Sequence, residues 1–132
     1  MIHMTIQETA QQAVALKHRG CNCCQAVVGA LAAETDLSEK QLLQLAAGFG
    51  AGMGTMEATC GALVGAGMIA GLKTKGSMTG RVTRQITETF RSLCGAVTCR
   101  DLKGISTGRV LCPCDECVYH AVLAYGKSMG LS

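Results

Sequence analysis

The sequence predicts an all-α protein, a compact bundle of about five to six helices with a glycine-rich central helix. Apolar residues recur at three- and four-residue spacing through successive segments, and no segment alternates apolar and polar residues as a half-buried strand would. With 132 residues, 48% of them hydrophobic and 16% charged, the composition is that of a globular chain with one core. We therefore expect a single helical domain spanning residues 1–132.

Each of the first three predicted helices begins at a residue whose side chain can cap it. Such a side chain accepts a hydrogen bond from the free backbone N–H groups of the first turn. Glu8 in the first helix and Gln41 in the third stand where they complete a capping box. The predicted helices run from Thr5 to about Arg19, from Asn22 to about Thr35 and from Ser38 to about Gly48.

The middle of the chain is rich in glycine. The run Gly48–Gly54 predicts a loop whose backbone can approach a neighbour or a ligand. A fourth helix is predicted from Thr55 to about Leu72, with Glu57 favourably placed in its first turn. Gly61 and Gly65 would let another backbone press against this helix, although each costs about 1 kcal/mol of helix propensity.

Two further helices and a short helical stretch between them are predicted in the last part of the chain. The first, from Thr79 to about Leu93, has apolar residues at helical spacing. A short helical stretch follows from Cys99 to Lys103. The last helix opens near Pro113 and turns Val118 and Tyr125 inward.

Charge and hydropathy limit the function classes. The net charge of +3 is spread among acidic residues and only 3% of residues are aromatic, so we expect no nucleic-acid partner. The first residues lack the charged head and apolar stretch of a secretory signal, which favours a cytoplasmic protein. The uncharged run Ala58–Leu72 would reach only about 22 Å as a helix, short of the roughly 30 Å membrane core, so we expect no membrane insertion.

Cysteine is the most informative residue type. A chain that is not exported seldom carries a static disulfide scaffold, so nine cysteines favour metal binding or redox chemistry. The odd number means that at least one thiol cannot pair within the chain. The nine are Cys21, Cys23, Cys24, Cys60, Cys94, Cys99, Cys112, Cys114 and Cys117.

Four cysteines are the predicted metal ligands because of where they stand. Cys23, Cys60 and Cys114 fall in the opening turns of predicted helices, whose positive ends stabilise thiolates. Cys99 is the natural fourth, and we expect the neighbouring Lys103 to lower its pKa. The alternative for each is that it merely fills space in the core. The remaining thiols are weaker candidates, as spare thiols, resolving partners or packing residues: Cys21, Cys24, Cys94, Cys112 and Cys117.

Common cysteine motifs do not fit the chain. Cys114 and Cys117 form a C-x-x-C, but without the strand–helix–strand context of a thioredoxin-like site. A structural zinc site usually has two such pairs, and the second is missing. The ferredoxin spacings are also absent, so a cluster would need ligands dispersed along the chain. His120 is a candidate auxiliary ligand, and the more common alternative is an exposed histidine on a helix.

Four blocks of residues follow one another along the chain, from about Gly20 to Val122. The first block is Gly20, Asn22, Cys23, Gln25, Ala26 and Val27. The central block is Gly48, Phe49, Gly50, Gly52, Met53 and Gly54, leading to Cys60, Gly61, Ala62 and Gly65. The last two blocks are Cys99, Arg100, Asp101 and Leu102, and then Cys114 with Val118. As an ordered set, these blocks resemble a family of redox-active proteins labelled for the cysteine pattern C-GCAxxG-C-C.

The resemblance implies redox activity and four shared cysteines, which the blocks align with Cys23, Cys60, Cys99 and Cys114. A similar segment accompanies split-Soret cytochromes, where an iron–sulfur centre is associated with it. The chain departs from the label in reading Cys-Gly-Ala at Cys60, and it adds five further cysteines.

Three functions remain open from the sequence. The first is an electron-transfer or redox-sensing domain whose four cysteines ligate an iron–sulfur cluster. The second is a metal-free thiol–disulfide or persulfide exchange protein, working through Cys23 with Cys24 and Cys114 with Cys117. The third is a zinc-binding module. We expect a redox partner protein, and we expect the chain to associate as a homodimer.

Overall fold

Helices make up nearly all the regular structure in the computed structural model, which describes residues 4–105 and 107–132. These residues contain no strand, and one isolated bridge pairs Thr59 with Thr98. The predicted all-α class is confirmed. The seven α-helices of the described residues are α1 (Ile6–His18), α2 (Cys23–Ala30), α3 (Glu39–Ala46), α4 (Gly61–Thr74), α5 (Thr79–Cys94), α6 (Cys99–Lys103) and α7 (Cys114–Met129).

The capping boxes predicted for α1 and α3 are formed. The Thr5 hydroxyl accepts from the Glu8 N–H at 3.1 Å, and the Glu8 carboxylate accepts from the Thr5 N–H at 3.0 Å. Asn22 caps α2 by accepting from the Gln25 N–H at 2.8 Å. Helix α2 ends earlier than predicted, because after Ala30 the chain tightens into a 3-10 turn over Ala32–Glu34.

The fourth helix begins later than predicted. Ala51, Met53 and Met56 have positive φ angles, and this conformation cannot continue a right-handed helix. The segment Gly52–Met56 instead forms a wide turn, after which Thr59 pairs with Thr98. The prediction of a helix from Thr55, with Glu57 in its first turn, is therefore wrong: α4 begins at Gly61 with Cys60 as its N-cap.

Helix α7 packs against four other helices, α1, α2, α4 and α5. Its inward residues Val118, Ala121, Val122 and Tyr125 are fully buried. The core around them is built largely from alanine and other small side chains. Such side chains allow close helix packing, which brings the starts of several helices towards one another.

Helix α4 passes very close to α2. A Cβ atom added at Gly65 would lie 2.9 Å from the Cys24 carbonyl oxygen. A Cβ atom at Gly61 would lie 2.5 Å from the Phe49 carbonyl oxygen. Both positions therefore exclude a side chain unless the backbone moves. Among the described residues, no helix is both long and apolar enough to cross a membrane.

Candidate metal centre

All four predicted ligands lie at the starts of helices. Cys23 is the first residue of α2, Cys99 of α6 and Cys114 of α7, while Cys60 is the N-cap of α4. We call these four residues the helix-start set. The free N–H groups of a helix start carry a partial positive charge, so each of these sulfurs lies beside a favourable position for negative charge.

Backbone hydrogen bonds hold the starts of α4 and α6 together. The Cys60 N–H donates to the Val97 carbonyl at 2.8 Å, and the Cys99 N–H donates to the Ala58 carbonyl at 3.0 Å. A Cβ atom at Gly52 would lie 2.8 Å from the Cys99 Cβ. The glycine-rich turn thus lies directly against Cys99, at a place where a side chain would not fit.

Cys23 and Cys114 act as a pair. A hydrogen bond from the Cys23 side chain, followed by interactions with Lys103 and Lys17, lowers the pKa of Cys114 well below that of a free thiol. The same hydrogen bond, together with burial, raises the pKa of Cys23. Because the two groups titrate together, the pair holds one negative charge at neutral pH, centred on Cys114.

The other two members of the helix-start set are neutral thiols. The interaction with Cys117 and burial raise the pKa of Cys60, against a smaller lowering by the Ala62 N–H. Burial raises the pKa of Cys99 more than Lys103 lowers it. Lys103 therefore lowers the pKa of Cys99 as expected, but its effect is too small to make Cys99 a thiolate. Metal binding would have to displace a proton from each of these thiols.

Lys103 supplies the positive charge of the site. Its Nζ lies 3.7 Å from the Cys117 Sγ and donates to the Cys112 carbonyl at 3.4 Å. Burial alone would lower the pKa of Lys103, but its interactions with the neighbouring cysteines, above all Cys117 and Cys114, raise it above its usual range. The lysine therefore remains an ammonium. In the sequence it stands out only as a neighbour of Cys99.

A second group of cysteines lies beside the helix-start set. The sulfur atoms of Cys94, Cys112 and Cys117 all lie within 4.8 Å of one another and could hold a metal ion. We call these three residues the trio. Cys94, Cys112 and Cys117 are 4%, 2% and 0% exposed, respectively. From the sequence, all three are weaker candidates for metal ligands, because nothing in their spacing shows that the end of α5 meets the start of α7.

The sulfur atoms of the helix-start set are spaced more widely than those of the trio. Within residues 4–105 and 107–132, the trio is the one group of three metal-binding side chains with all donor atoms this close. The helix-start cysteines influence one another's pKa values, Cys23 through Cys114 and Cys60, and Cys99 through Cys60 and Cys114. Cys60 also interacts with Cys117 of the trio.

Cys24 belongs to neither group, although, after burial, Cys60 contributes to its raised pKa. Its sulfur is 3.9 Å from the Met68 Sδ, and its side chain is fully buried. Burial raises its pKa to about 12. The structure thus places Cys114, rather than the adjacent Cys24, as the interacting partner of Cys23.

A model of one protein family matches most of the chain. The family is described as “Putative redox-active protein (C_GCAxxG_C_C)”, and the match covers residues 21–127. That region includes the helix-start set and the trio. Neither the comparison with curated proteins nor the comparison with solved structures found a match.

Proposed function

The chain belongs to the redox-active protein family with the C-GCAxxG-C-C cysteine pattern, and from this premise we propose that it holds an iron–sulfur cluster through the helix-start set. The cluster would serve electron transfer or redox sensing. One observation supports this most directly: four helices that are distant in the sequence begin at Cys23, Cys60, Cys99 and Cys114, next to the Lys103 ammonium.

The donor set suits such a group. Iron–sulfur clusters are commonly held by four cysteine thiolates. Thiolates that bind different iron atoms of a cluster stand farther apart than thiolates that share a single ion. In the described part of the chain, no three sulfurs of the helix-start set lie within 4.8 Å of one another, and this wider spacing favours a cluster over a single zinc ion at this position.

The surrounding charges favour a bound anion. Each helix start contributes about half a positive charge, and Lys103 contributes a full one. The Ala62 N–H in the first turn of α4 partly offsets the rise in the pKa of Cys60, and backbone N–H groups near the sulfurs of a cluster tune its reduction potential. When bound, the cluster would supply one-electron exchange. Cys114 is the ligand already prepared as a thiolate, and the other three would give up protons on binding.

The direct test compares two serine variants after anaerobic purification. We expect the unaltered protein to contain iron and sulfide and to absorb visible light, and Cys60→Ser to lose most of all three. Cys21→Ser is the matched control, since Cys21 is partly exposed and belongs to neither group. Iron, sulfide and zinc assays, with circular dichroism as the folding check, give the measurement. An unchanged iron content in Cys60→Ser would refute the proposal.

A metal-free exchange function is the second candidate, and the Cys23–Cys114 pair favours it. The Cys114 thiolate would attack a partner's disulfide and form a mixed disulfide. Cys23 would then attack Cys114, releasing the partner as a dithiol and leaving a Cys23–Cys114 disulfide. This function predicts a colourless, metal-free protein that loses two titratable thiols on oxidation. It is refuted if oxidation of Cys114→Ser also removes two titratable thiols.

The proposal extends to the setting in which the protein works. It would act in the cytoplasm and exchange electrons with a redox partner protein. Association as a homodimer is tested by light scattering on the anaerobic protein, where a mass of one 13.7 kDa chain would contradict it.

A further inference from the structure

We propose that the trio of Cys94, Cys112 and Cys117 is a second metal site, which binds one monovalent copper ion through three thiolates. The site is separate from the iron–sulfur cluster proposed for the helix-start set. It uses three of the five cysteines that lie outside the four-cysteine pattern of the family.

The spacing of the trio fits a single ion. Taking a zinc–sulfur bond of about 2.3 Å as a guide, three sulfurs around one ion in a plane stand about 4.0 Å apart. The three sulfurs already lie within 4.8 Å of one another. Binding thus needs only a small inward movement of side chains.

The backbone fixes the three positions independently. Cys94 is the last residue of α5, and Gly95 ends that helix in the left-handed conformation with a φ of +93°. The Cys112 N–H donates to the Leu102 carbonyl at 3.2 Å, which anchors the loop before α7. Cys117 lies in the first turn of α7. A site whose ligands are held on separate anchors is largely formed before the ion arrives.

The number and type of donors favour monovalent copper. Soft thiolate ligands select copper(I), zinc or iron–sulfur centres. Zinc is almost always four-coordinate in structural sites, whereas copper(I) is stable with three sulfurs. In the part of the chain that the structure describes, no fourth His, Cys, Asp or Glu joins the trio at this spacing. Cys60 interacts with Cys117 but does not belong to the group.

Charge and burial complete the site. Three thiolates and one copper(I) ion carry a net charge of −2, and the Lys103 Nζ, 3.7 Å from the Cys117 Sγ, offsets part of it. The cysteines are nearly inaccessible to solvent, which protects copper(I) from oxidation. Each thiol gives up its proton when the ion binds, so no electron transfer is needed.

The test titrates anaerobic, iron-loaded protein with copper(I) in competition with bicinchoninate. We expect the unaltered chain and Cys21→Ser to retain one copper ion per chain. Cys94→Ser and Cys112→Ser should each retain one ion fewer than Cys21→Ser, with unchanged iron. X-ray absorption on the unaltered protein should show three sulfur neighbours, a readout that does not depend on how a variant folds.

Cys60→Ser separates this proposal from the cluster proposal. It should lose iron and keep the copper ion that Cys112→Ser loses. If the protein contains no iron at all, the helix-start set could take up additional copper, and the difference of one ion between Cys21→Ser and Cys112→Ser still reports on the trio. The copper proposal is overturned if that difference is zero, if two or four sulfurs surround the copper in iron-loaded protein that holds one copper ion, or if equimolar zinc displaces it.

Discussion

Replacing Lys103 with methionine would test whether one ammonium sets the charge state of the site. Lys103 lowers the pKa of Cys114 through a hydrogen bond and through its charge, after the larger effect of Cys23. A hydrogen bond to a charged group contributes about 1.5–3 kcal/mol, and about 1.4 kcal/mol corresponds to one pKa unit. Because Lys103 is only half-buried, water screens its charge and the lower end applies. We therefore expect the pKa of Cys114 to rise by about one unit in Lys103→Met.

The measurement is the pH dependence of Cys114 alkylation in the metal-free, full-length protein, with the modified peptide identified by mass spectrometry. Lys103→Arg is the matched control, because it keeps the positive charge and should leave the midpoint nearly unchanged. In Lys103→Met the midpoint should still lie below that of a free thiol, since the Cys23 hydrogen bond remains. An unchanged midpoint in Lys103→Met, or an equal shift in both variants, would refute the reasoning.

Three stability predictions follow from the packing and the buried thiols. Gly65→Ala should lower the free energy of unfolding by about 1–3 kcal/mol, because its Cβ would lie 2.9 Å from the Cys24 carbonyl oxygen. Gly67→Ala is the control and should not destabilise the protein, because its Cβ would meet only the Thr83 side chain, at 3.6 Å. Asn22→Ala should cost about 1 kcal/mol through loss of the α2 cap, and Asn22→Asp, which keeps the accepting oxygen, should cost less. In urea titrations of the metal-free protein, the free energy of unfolding should fall as the pH rises above about 9. Above that pH the unfolded chain releases thiol protons that the folded chain retains, as at Cys24 with its pKa of about 12. Constant stability across that range would contradict the raised thiol pKa values.

Most helix starts could be predicted because their signals are local. The cap residues Thr5, Asn22 and Ser38 and the residues that bond to them lie within three positions of one another. Short-range patterns of this kind are visible in a single sequence. The early end of α2 has no such signal.

The start of α4 could not be predicted for two physical reasons. The positive φ angles at Ala51, Met53 and Met56 occur at residue types that rarely adopt them. The bridge between Thr59 and Thr98 joins residues far apart in the chain. Both features depend on tertiary structure, while the sequence from Thr55 onward has ordinary helical character.

The candidate site was predictable only in part. The positions of the helix-start cysteines follow from local sequence, whereas the trio arises where α5, the loop before α7 and α7 itself meet. The central place of Lys103 depends on the same packing. A sequence pattern can therefore locate a helix start, but it does not show which separate segments meet.

The pKa shifts show that a helix start alone does not make a thiolate. Cys23 and Cys60 both stand at helix starts, yet neighbouring thiols and burial raise their pKa values. Cys114 differs because it accepts a hydrogen bond from Cys23 and lies near Lys103 and Lys17. The partial charge of a helix start is therefore outweighed here unless a full charge and a proton donor assist it. Consequently most ligands enter as thiols, and metal affinity should increase with pH as their protons are released.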